Sequence, residues 1–460
     1  MSTYQRMPTA TDEYAIYPDP VAVAPETVTP AEERPRPIRR SQRIEFYKPF
    51  HYVLLIYLFF YCSRIAELVH SLHAGLVLQP ILLAGMIMTG STKRIFRSQI
   101  GKYMTAFVMW IAICVPLSSW RGGSFQVFIL TVQALALVFF MAAFIRTLDD
   151  CYRVMFVMAL AGAAIGVLSL SIGGGLHIGG TIDPRLGLGA ANDTLADANI
   201  MALYLVVGLP FLWFSSIVKK GLLRFAFLLM IVPVLAAVSR TASRMGLVAL
   251  AIAVLFFFFF ASAGQRVIIL LGGVLALSLA VSLLPQRIMD RFTTFWHPNS
   301  AAGAEAAESA SARMNLLRRS IELSFEHPFF GVGPGEFMDA EAKEAAGQGR
   351  RGVWHHTHNS FTELSSETGF LGLILFAVPF FLSYRGLSRY RSHYPRRRTR
   401  QAALCLQTAV LVSAIGAFFL SIAYSGIVYA IIGFSAAFQL AAAREYQLTT
   451  AQTSAASPVS

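Results

Sequence analysis

Long apolar segments alternate with short polar segments along most of this chain. Twelve apolar segments can be marked, near residues 50–69, 73–90, 103–118, 124–145, 153–172, 198–218, 222–238, 244–261, 267–284, 361–384, 403–422 and 424–443. Their lengths approach the ~20 residues that an α-helix needs to cross about 30 Å of hydrocarbon. The pattern therefore predicts an all-α polytopic membrane protein with about 12 transmembrane helices.

The composition excludes an ordinary soluble domain. Of the 460 residues, 55% are hydrophobic and only 14% are charged, and the mean hydropathy is +0.57. A soluble domain carries about 25% charged residues. We therefore expect the lipid bilayer to be the main partner of the chain.

The basic residues predict the orientation of the helices. A cluster between Arg34 and Lys48 precedes the first apolar segment, which places the N-terminus in the cytoplasm. The polar segments that then fall on the cytoplasmic side all contain Lys or Arg: 91–102, 146–153, 219–224, 262–266 and 385–400. This basic face, beside anionic lipid headgroups, explains the net charge of +13. Nucleic acid is not an expected partner, because no soluble basic domain is present.

These assignments divide the chain into five parts. Residues 1–45 are rich in Pro, Thr and Glu without a helical or strand period, which predicts a disordered cytoplasmic tail. Transmembrane helices 1–9 are predicted within 46–284, and helices 10–12 within 361–443. A large periplasmic loop is predicted at 285–360, and a cytoplasmic tail at 444–460. Large loops on one face of a helical bundle are where functional residues are expected.

The periplasmic loop is predicted to contain short amphipathic helices. Residues 300–312 are rich in Ala, Ser and Glu, which indicates a flexible segment. In 311–326, apolar residues recur at helical spacing, which predicts a helix lying across the outer surface of the bundle. Those residues are Met314, Leu317, Ile321 and Phe325. The glycines of HPFFGVGPGEF, 327–337, predict a tight turn that ends this helix.

Three arginines fall at the predicted external side, where the positive-inside rule disfavours them. Arg240 and Arg244 lie in VSRTASRMGLVAL, and Arg185 lies in DPRLGLGAANDTLADAN. The planar guanidinium group suits paired hydrogen bonds to phosphate. Two interpretations stay open: these side chains bind a phosphorylated substrate, or they extend to lipid phosphates at the membrane surface. The polar residues up to Asn199 could also cap a helix.

Three of the ten histidines lie in HHTHNSFTELSSETG, residues 355–369. His355, His356 and His358 could together bind a metal. No metal is predicted here, because cysteines and carboxylates at clear ligand spacing are missing. The ordinary pKa of histidine suits it to accept a proton from a hydroxyl group. A proton-accepting role is predicted for His358, with a loop histidine at a helix N-terminus as the alternative.

Four sequence blocks resemble the O-antigen ligase and O-antigen polymerase superfamily of bacterial inner-membrane glycosyltransferases. His358, Asn359, nine further residues and Gly369 are similar to its H-[NSQ]-x9-G pattern. Arg313 together with HPFFGVGPGEF (327–337) is similar to a second sequence block of this superfamily. SRMGLVAL (243–250) and LADANIMALYL (195–205) are similar to two more. The four blocks follow one another in one order, with a large external loop between two predicted spans.

The resemblance implies a reaction and roles for residues. A glycan carried on undecaprenyl pyrophosphate would be transferred at the periplasmic face to an acceptor hydroxyl, with inversion and without a metal or other cofactor. Arg244 and Arg185 would bind the pyrophosphate, and His358 would orient or deprotonate the acceptor. The further substrate-binding candidates are Arg240, Asn199, Arg313 and Asn359. The implied location is the inner membrane, with both termini in the cytoplasm.

Alternatives stay open for the acceptor of the reaction and for the functional class of the protein. A ligase would use lipid A–core as acceptor, whereas an O-antigen or exopolysaccharide polymerase would use a lipid-linked repeat. A polysaccharide transporter or flippase is a different class, which the lack of an internal repeat disfavours. A membrane scaffold would leave the external arginines unexplained. The sequence thus favours an O-antigen ligase-like enzyme.

Overall fold

A computed structural model describes residues 46–69, 74–174, 177–178, 181–182, 185–190, 193–283, 301–347, 349 and 356–456. The predicted disordered tail, residues 1–45, lies outside these ranges. The start of the predicted periplasmic loop, 285–300, also lies outside them, as do His355 and the last four residues.

The described residues form fifteen α-helices. They are α1 Lys48–Ser63, α2 Ile65–Leu68, α3 Ala74–Met88, α4 Gln99–Cys114, α5 Arg121–Phe144, α6 Leu148–Ile172, α7 Ala198–Val218, α8 Gly221–Arg240, α9 Arg244–Phe260, α10 Ala263–Leu283, α11 Ala301–Glu326, α12 Phe337–Gly347, α13 Ser360–His393, α14 Arg397–Phe419 and α15 Gly426–Ala456. Two short antiparallel strands, β1 His177–Ile178 and β2 Thr181–Ile182, pair between α6 and α7.

The predicted all-α membrane architecture is confirmed, but the count of twelve spans is not. The described residues of each of the twelve apolar segments are largely helical, and the first segment covers two helices. Among the described residues, eight helices are long and apolar enough to cross a membrane. They are α4 with the turn after it, α5, α6, α7, α8, α13, α14 and the apolar part of α15. The helices α3 and α9 are too short to be counted among these spans, and so is the described apolar part of α10.

Three helices form the centre of the bundle. The most apolar window is 78% buried in α7, 72% in α14 and 83% in α15, against 22% in α8. The central α7 packs on α6, α8 and α14, and α14 also packs on α9 and α13. Because α7 and α14 run through the bundle, residues at their two ends lie at opposite ends of the molecule.

The helix α11 differs from its prediction in two ways. It begins at Ala301, so the segment expected to be flexible is helical. The predicted apolar stripe is also mostly exposed: Met314, Ile321 and Phe325 are 63%, 42% and 72% exposed. The buried face instead holds Leu316, Ser320, Leu323 and Ser324. In a membrane protein an apolar side chain need not be buried in protein, so apolar spacing alone did not identify the packed face.

The turn predicted after α11 is confirmed, and it packs against a break in α13. Gly369 interrupts α13 with φ 72° and ψ 178°. Phe370 N donates to Pro328 O at 2.9 Å, and Val332 N donates to Ser366 O at 2.8 Å. A Cβ on Gly369 would lie 2.1 Å from Phe329 O. Glycine is therefore required here both by the left-handed φ and by the close approach of the turn.

Candidate functional site

A cavity of about 530 Å³ opens where several helix ends meet. It is lined by the first turn of α9, the middle of α11, the segment before α13 and the end of α14. Arg185, in the loop before α7, and Asn199, in the first turn of α7, complete the wall. The cavity thus combines residues that are far apart in the sequence.

Six of the seven predicted site residues line this cavity. They are Arg185, Asn199, Arg244, Arg313, His358 and Asn359. The seventh, Arg240, is not among the lining residues. It ends α8, and its backbone carbonyl accepts a hydrogen bond from Leu186 N at 3.1 Å. Arg240 thereby holds the loop that contains Arg185, but the structure does not bring its side chain to the cavity wall.

His358 has an uncommon backbone conformation that directs the chain into α13. Its φ is 54°, in the left-handed region that few residues other than glycine adopt. Its N–H donates to Ser421 Oγ at 3.2 Å, and Ser421 Oγ also contacts Thr357 Oγ1 at 3.2 Å. Asn359 then caps α13 by accepting from the N–H groups of Phe361 and Thr362. Strained backbone of this kind is held in place by its surroundings and is common at functional sites.

Helix N-termini contribute to the cavity wall. Asp197 caps α7, Ser243 caps α9, and Asn359 caps α13. Ser243 also donates to Asn199 Oδ1 at 2.9 Å, which fixes the Asn199 amide. The N-terminus of a helix carries partial positive charge, so the first turns of α9 and α13, which have neutral caps, favour an anion here.

Among the described residues that line the cavity, every Lys, Arg, Asp or Glu is an arginine. Arg185, Arg244 and Arg313 line it, and none of the described residues that line it is Asp or Glu. The rest of the wall is largely apolar, including Phe418 and Phe419, which are 56% and 41% exposed. Such a wall can bind a doubly phosphorylated headgroup through guanidinium groups and an apolar chain through the phenylalanines.

The neighbouring His356 lies outside the cavity wall. Its Nδ1 is 3.5 Å from Glu363 Oε1. A hydrogen bond to this carboxylate raises the pKa of His356. Within the described ranges, no group of three or more His, Cys, Asp or Glu side chains could hold a metal ion. His355 is outside those ranges, so the three-histidine arrangement is not described as a whole.

Several cavity residues were not predicted from the sequence. Thr357 and Phe418 line the cavity directly. Ser421 and Ser243 hold residues that line it. Small hydroxyl residues and phenylalanines are common in apolar helices, so nothing in their spacing distinguished these four. Ser243 alone had a local signal, because a serine just before an apolar helix is a typical N-cap.

The fold and the cavity define a multi-pass membrane protein with an arginine-lined cavity at one end of its helical bundle. Residues 225–377 match a protein-family model described as O-Antigen ligase. The match covers about a third of the chain and confirms the resemblance to the O-antigen ligase superfamily. It includes Arg244, Arg313 and His358, whereas Arg185 and Asn199 precede it. A comparison with curated proteins found none that matches the chain.

Proposed function

We propose that this protein is an O-antigen ligase-like glycosyltransferase of the bacterial inner membrane. It transfers a glycan from undecaprenyl pyrophosphate to an acceptor hydroxyl of lipid A–core at the periplasmic face. The observation that supports this most strongly is the convergence of Arg185, Arg244, Arg313 and His358 on one cavity. Transfer from a pyrophosphate needs cationic groups for the leaving group and a base for the acceptor, and these four residues can supply both.

The arginines act on the leaving group in this proposal. As the glycosidic bond breaks, negative charge develops on the pyrophosphate oxygen. Guanidinium groups that are already oriented stabilise this charge without reorganisation during the reaction. Arg244 has the best position for this, because it lies at the N-terminus of α9, where the helix dipole adds to its charge. Arg185, in the loop before α7, and Arg313, in the middle of α11, also bind the pyrophosphate.

His358 acts on the acceptor. Its imidazole takes the proton of the acceptor hydroxyl as that oxygen attacks the anomeric carbon from the side opposite the pyrophosphate. The sugar configuration is then inverted in a single displacement. Asn359 fixes the start of α13, and the amide of Asn199, oriented by Ser243, is available to the donor. This step needs no metal.

Transfer by the purified full chain, supplied with lipid-linked donor and lipid A–core, tests the proposal. His358→Ala and Arg244→Ala are expected to lower the transfer rate at least about 100-fold, since loss of a general base or of a charge-stabilising donor costs this much. The matched controls are His393→Ala, at the far end of α13, and Arg318→Ala, an exposed residue of α11. Both controls should retain transfer. Wild-type rates in the His358 and Arg244 variants would overturn the assignment.

A polymerase that uses a lipid-linked repeat as acceptor is the second candidate, because it needs the same donor chemistry. Lipopolysaccharide from a deletion strain distinguishes the two. Long glycans left on undecaprenyl pyrophosphate with bare lipid A–core support a ligase, whereas core with a single repeat supports an O-antigen polymerase. Loss of secreted polymer with normal lipopolysaccharide supports exopolysaccharide synthesis. A chelator added to the purified reaction tests metal independence, and strong inhibition would contradict it.

A further inference from the structure

A second cavity, of about 260 Å³, lies at the opposite end of the bundle. It lies between the start of α6, the end of α7 and the start of α14. Helix α7 reaches both cavities, through Asn199 at one end and Ser215 at the other. At 1.5 Å per residue these two positions are roughly 24 Å apart. The second cavity is therefore separate from the proposed transfer site and lies at the end predicted to be cytoplasmic.

Three cationic side chains line this second cavity: Arg153, Lys219 and Arg398. The Arg398 guanidinium lies over the Tyr152 ring at 3.9 Å, and Lys219 Nζ lies over the Phe156 ring at 4.6 Å. These aromatic faces orient both cations without neutralising them. The charge of the remaining cation, Arg153, is partly compensated by Asp150, whose Oδ1 lies 3.3 Å from Arg153 Nη1.

Only one carboxylate lies among the described lining residues, that of the exposed Asp149. Even when Asp150 is counted beside Arg153, three cations face two carboxylates, which leaves an excess of positive charge around a small cavity. Such a cavity favours an anion, and its size suits a phosphoryl group rather than a large polyanion.

A buried hydroxyl supports the same conclusion. Ser215 lines the cavity and is 3% exposed. Its Oγ is buried and has no hydrogen-bond partner among the described residues. A buried polar group without a partner costs free energy, so a ligand atom that binds the hydroxyl would remove this cost. An anionic oxygen held between Lys219 and Arg398 is a suitable acceptor.

We infer that this cavity is a phosphate-recognition site for the headgroup of an anionic phospholipid or for a free phosphate. Lys219 and Arg398 bind the phosphoryl oxygens, and Ser215 donates its hydroxyl to one of them. Basic cavities between helix ends at the cytoplasmic face are suited to anionic lipid headgroups. The proposed transfer reaction does not use these residues.

Equilibrium binding to the purified full chain in detergent tests this inference. The probes are phosphatidylglycerol, phosphatidylcholine and inorganic phosphate. The double variant Lys219→Gln with Arg398→Gln is compared with Lys220→Gln with Arg397→Gln. The control removes the same two charges one residue away, at positions that do not line the cavity. Ser215→Ala, which removes only the hydroxyl, provides a milder variant should the double variant fail to fold.

The cavity variant is expected to bind phosphatidylglycerol at least roughly tenfold more weakly than the control, because each basic residue adds to the attraction of an anionic headgroup. Ser215→Ala should weaken binding several-fold, and phosphatidylcholine should bind weakly to all variants. If only inorganic phosphate binding falls in the cavity variant, the site is for free phosphate. Equal phosphatidylglycerol and phosphate binding in the cavity and control variants would overturn the inference.

Discussion

At the scale of single residues, the candidate site depends on short polar contacts around His358. The left-handed backbone of His358 is held through Ser421, whose Oγ accepts from its N–H. Ser360 Oγ adds a second connection to the same segment, because it donates to Leu420 O at 2.6 Å. The proposed base is therefore positioned by residues from the end of α14. Sequence reasoning identified His358 itself but not these contacts, because they join residues about 60 positions apart.

We expect Ser421→Ala to slow transfer while leaving the fold intact. The variant loses the hydrogen bond to His358 N, which contributes about 1 kcal/mol. The turnover rate should fall roughly fivefold, with the KM for the donor near its wild-type value, since the arginines are unchanged. Steady-state kinetics with lipid-linked donor measures both quantities.

Two further variants separate positioning from a general structural effect. Ser421→Thr retains a hydroxyl and should restore most of the rate. Ser171→Ala removes a serine whose Oγ bonds a carbonyl of its own helix, and it should leave the rate unchanged. Equal rates for Ser421→Ala and the wild-type chain would show that Ser421 does not position His358.

At the scale of elements, two sequence motifs far apart in the chain form one structural unit. The turn at 327–337 hydrogen-bonds to the break in α13 through Pro328, Val332 and Gly333. The carboxylate of Glu367 adds to this by accepting from the N–H groups of Gly335 and Phe337. The sequence indicated a turn and a glycine-containing pattern separately. That they bind each other could not be predicted, because it depends on backbone groups exposed by the break at Gly369.

Gly369→Ala is expected to destabilise the protein by about 2–5 kcal/mol, from left-handed strain and from the clash with Phe329 O. Thermal unfolding in detergent, together with the yield of monodisperse protein, measures this. Gly272→Ala is the matched control, since a Cβ there meets no atom within 4 Å. Similar unfolding temperatures for the two variants would contradict the close approach between turn and break.

At the scale of the whole molecule, apolar periodicity predicted the helices well and their roles less well. The described residues of all twelve apolar segments are largely helical, but only eight described helices have the length and composition of a span. Hydropathy gives the length of an apolar helix, not whether it faces lipid or protein. This is also why the apolar spacing in α11, which includes the exposed Phe325, did not identify the packed face of that helix.

Membrane orientation is tested by cysteine labelling in cells with a permeabilised outer membrane. The four native cysteines are buried, so background labelling should be low. Arg318→Cys, exposed on α11, should react with an impermeant maleimide in these cells. Arg397→Cys, at the start of α14, should react only after lysis. The reverse pattern would place the arginine-lined cavity in the cytoplasm and exclude periplasmic transfer.

The proposed reaction depends on binding of the pyrophosphate of a lipid-linked glycan in the arginine-lined cavity. An electron cryomicroscopy structure of the full chain with bound undecaprenyl-pyrophosphate glycan tests it most directly. Pyrophosphate density is expected between Arg185, Arg244 and Arg313, with the first sugar facing His358. Pyrophosphate density elsewhere, with this cavity empty of donor, would contradict it.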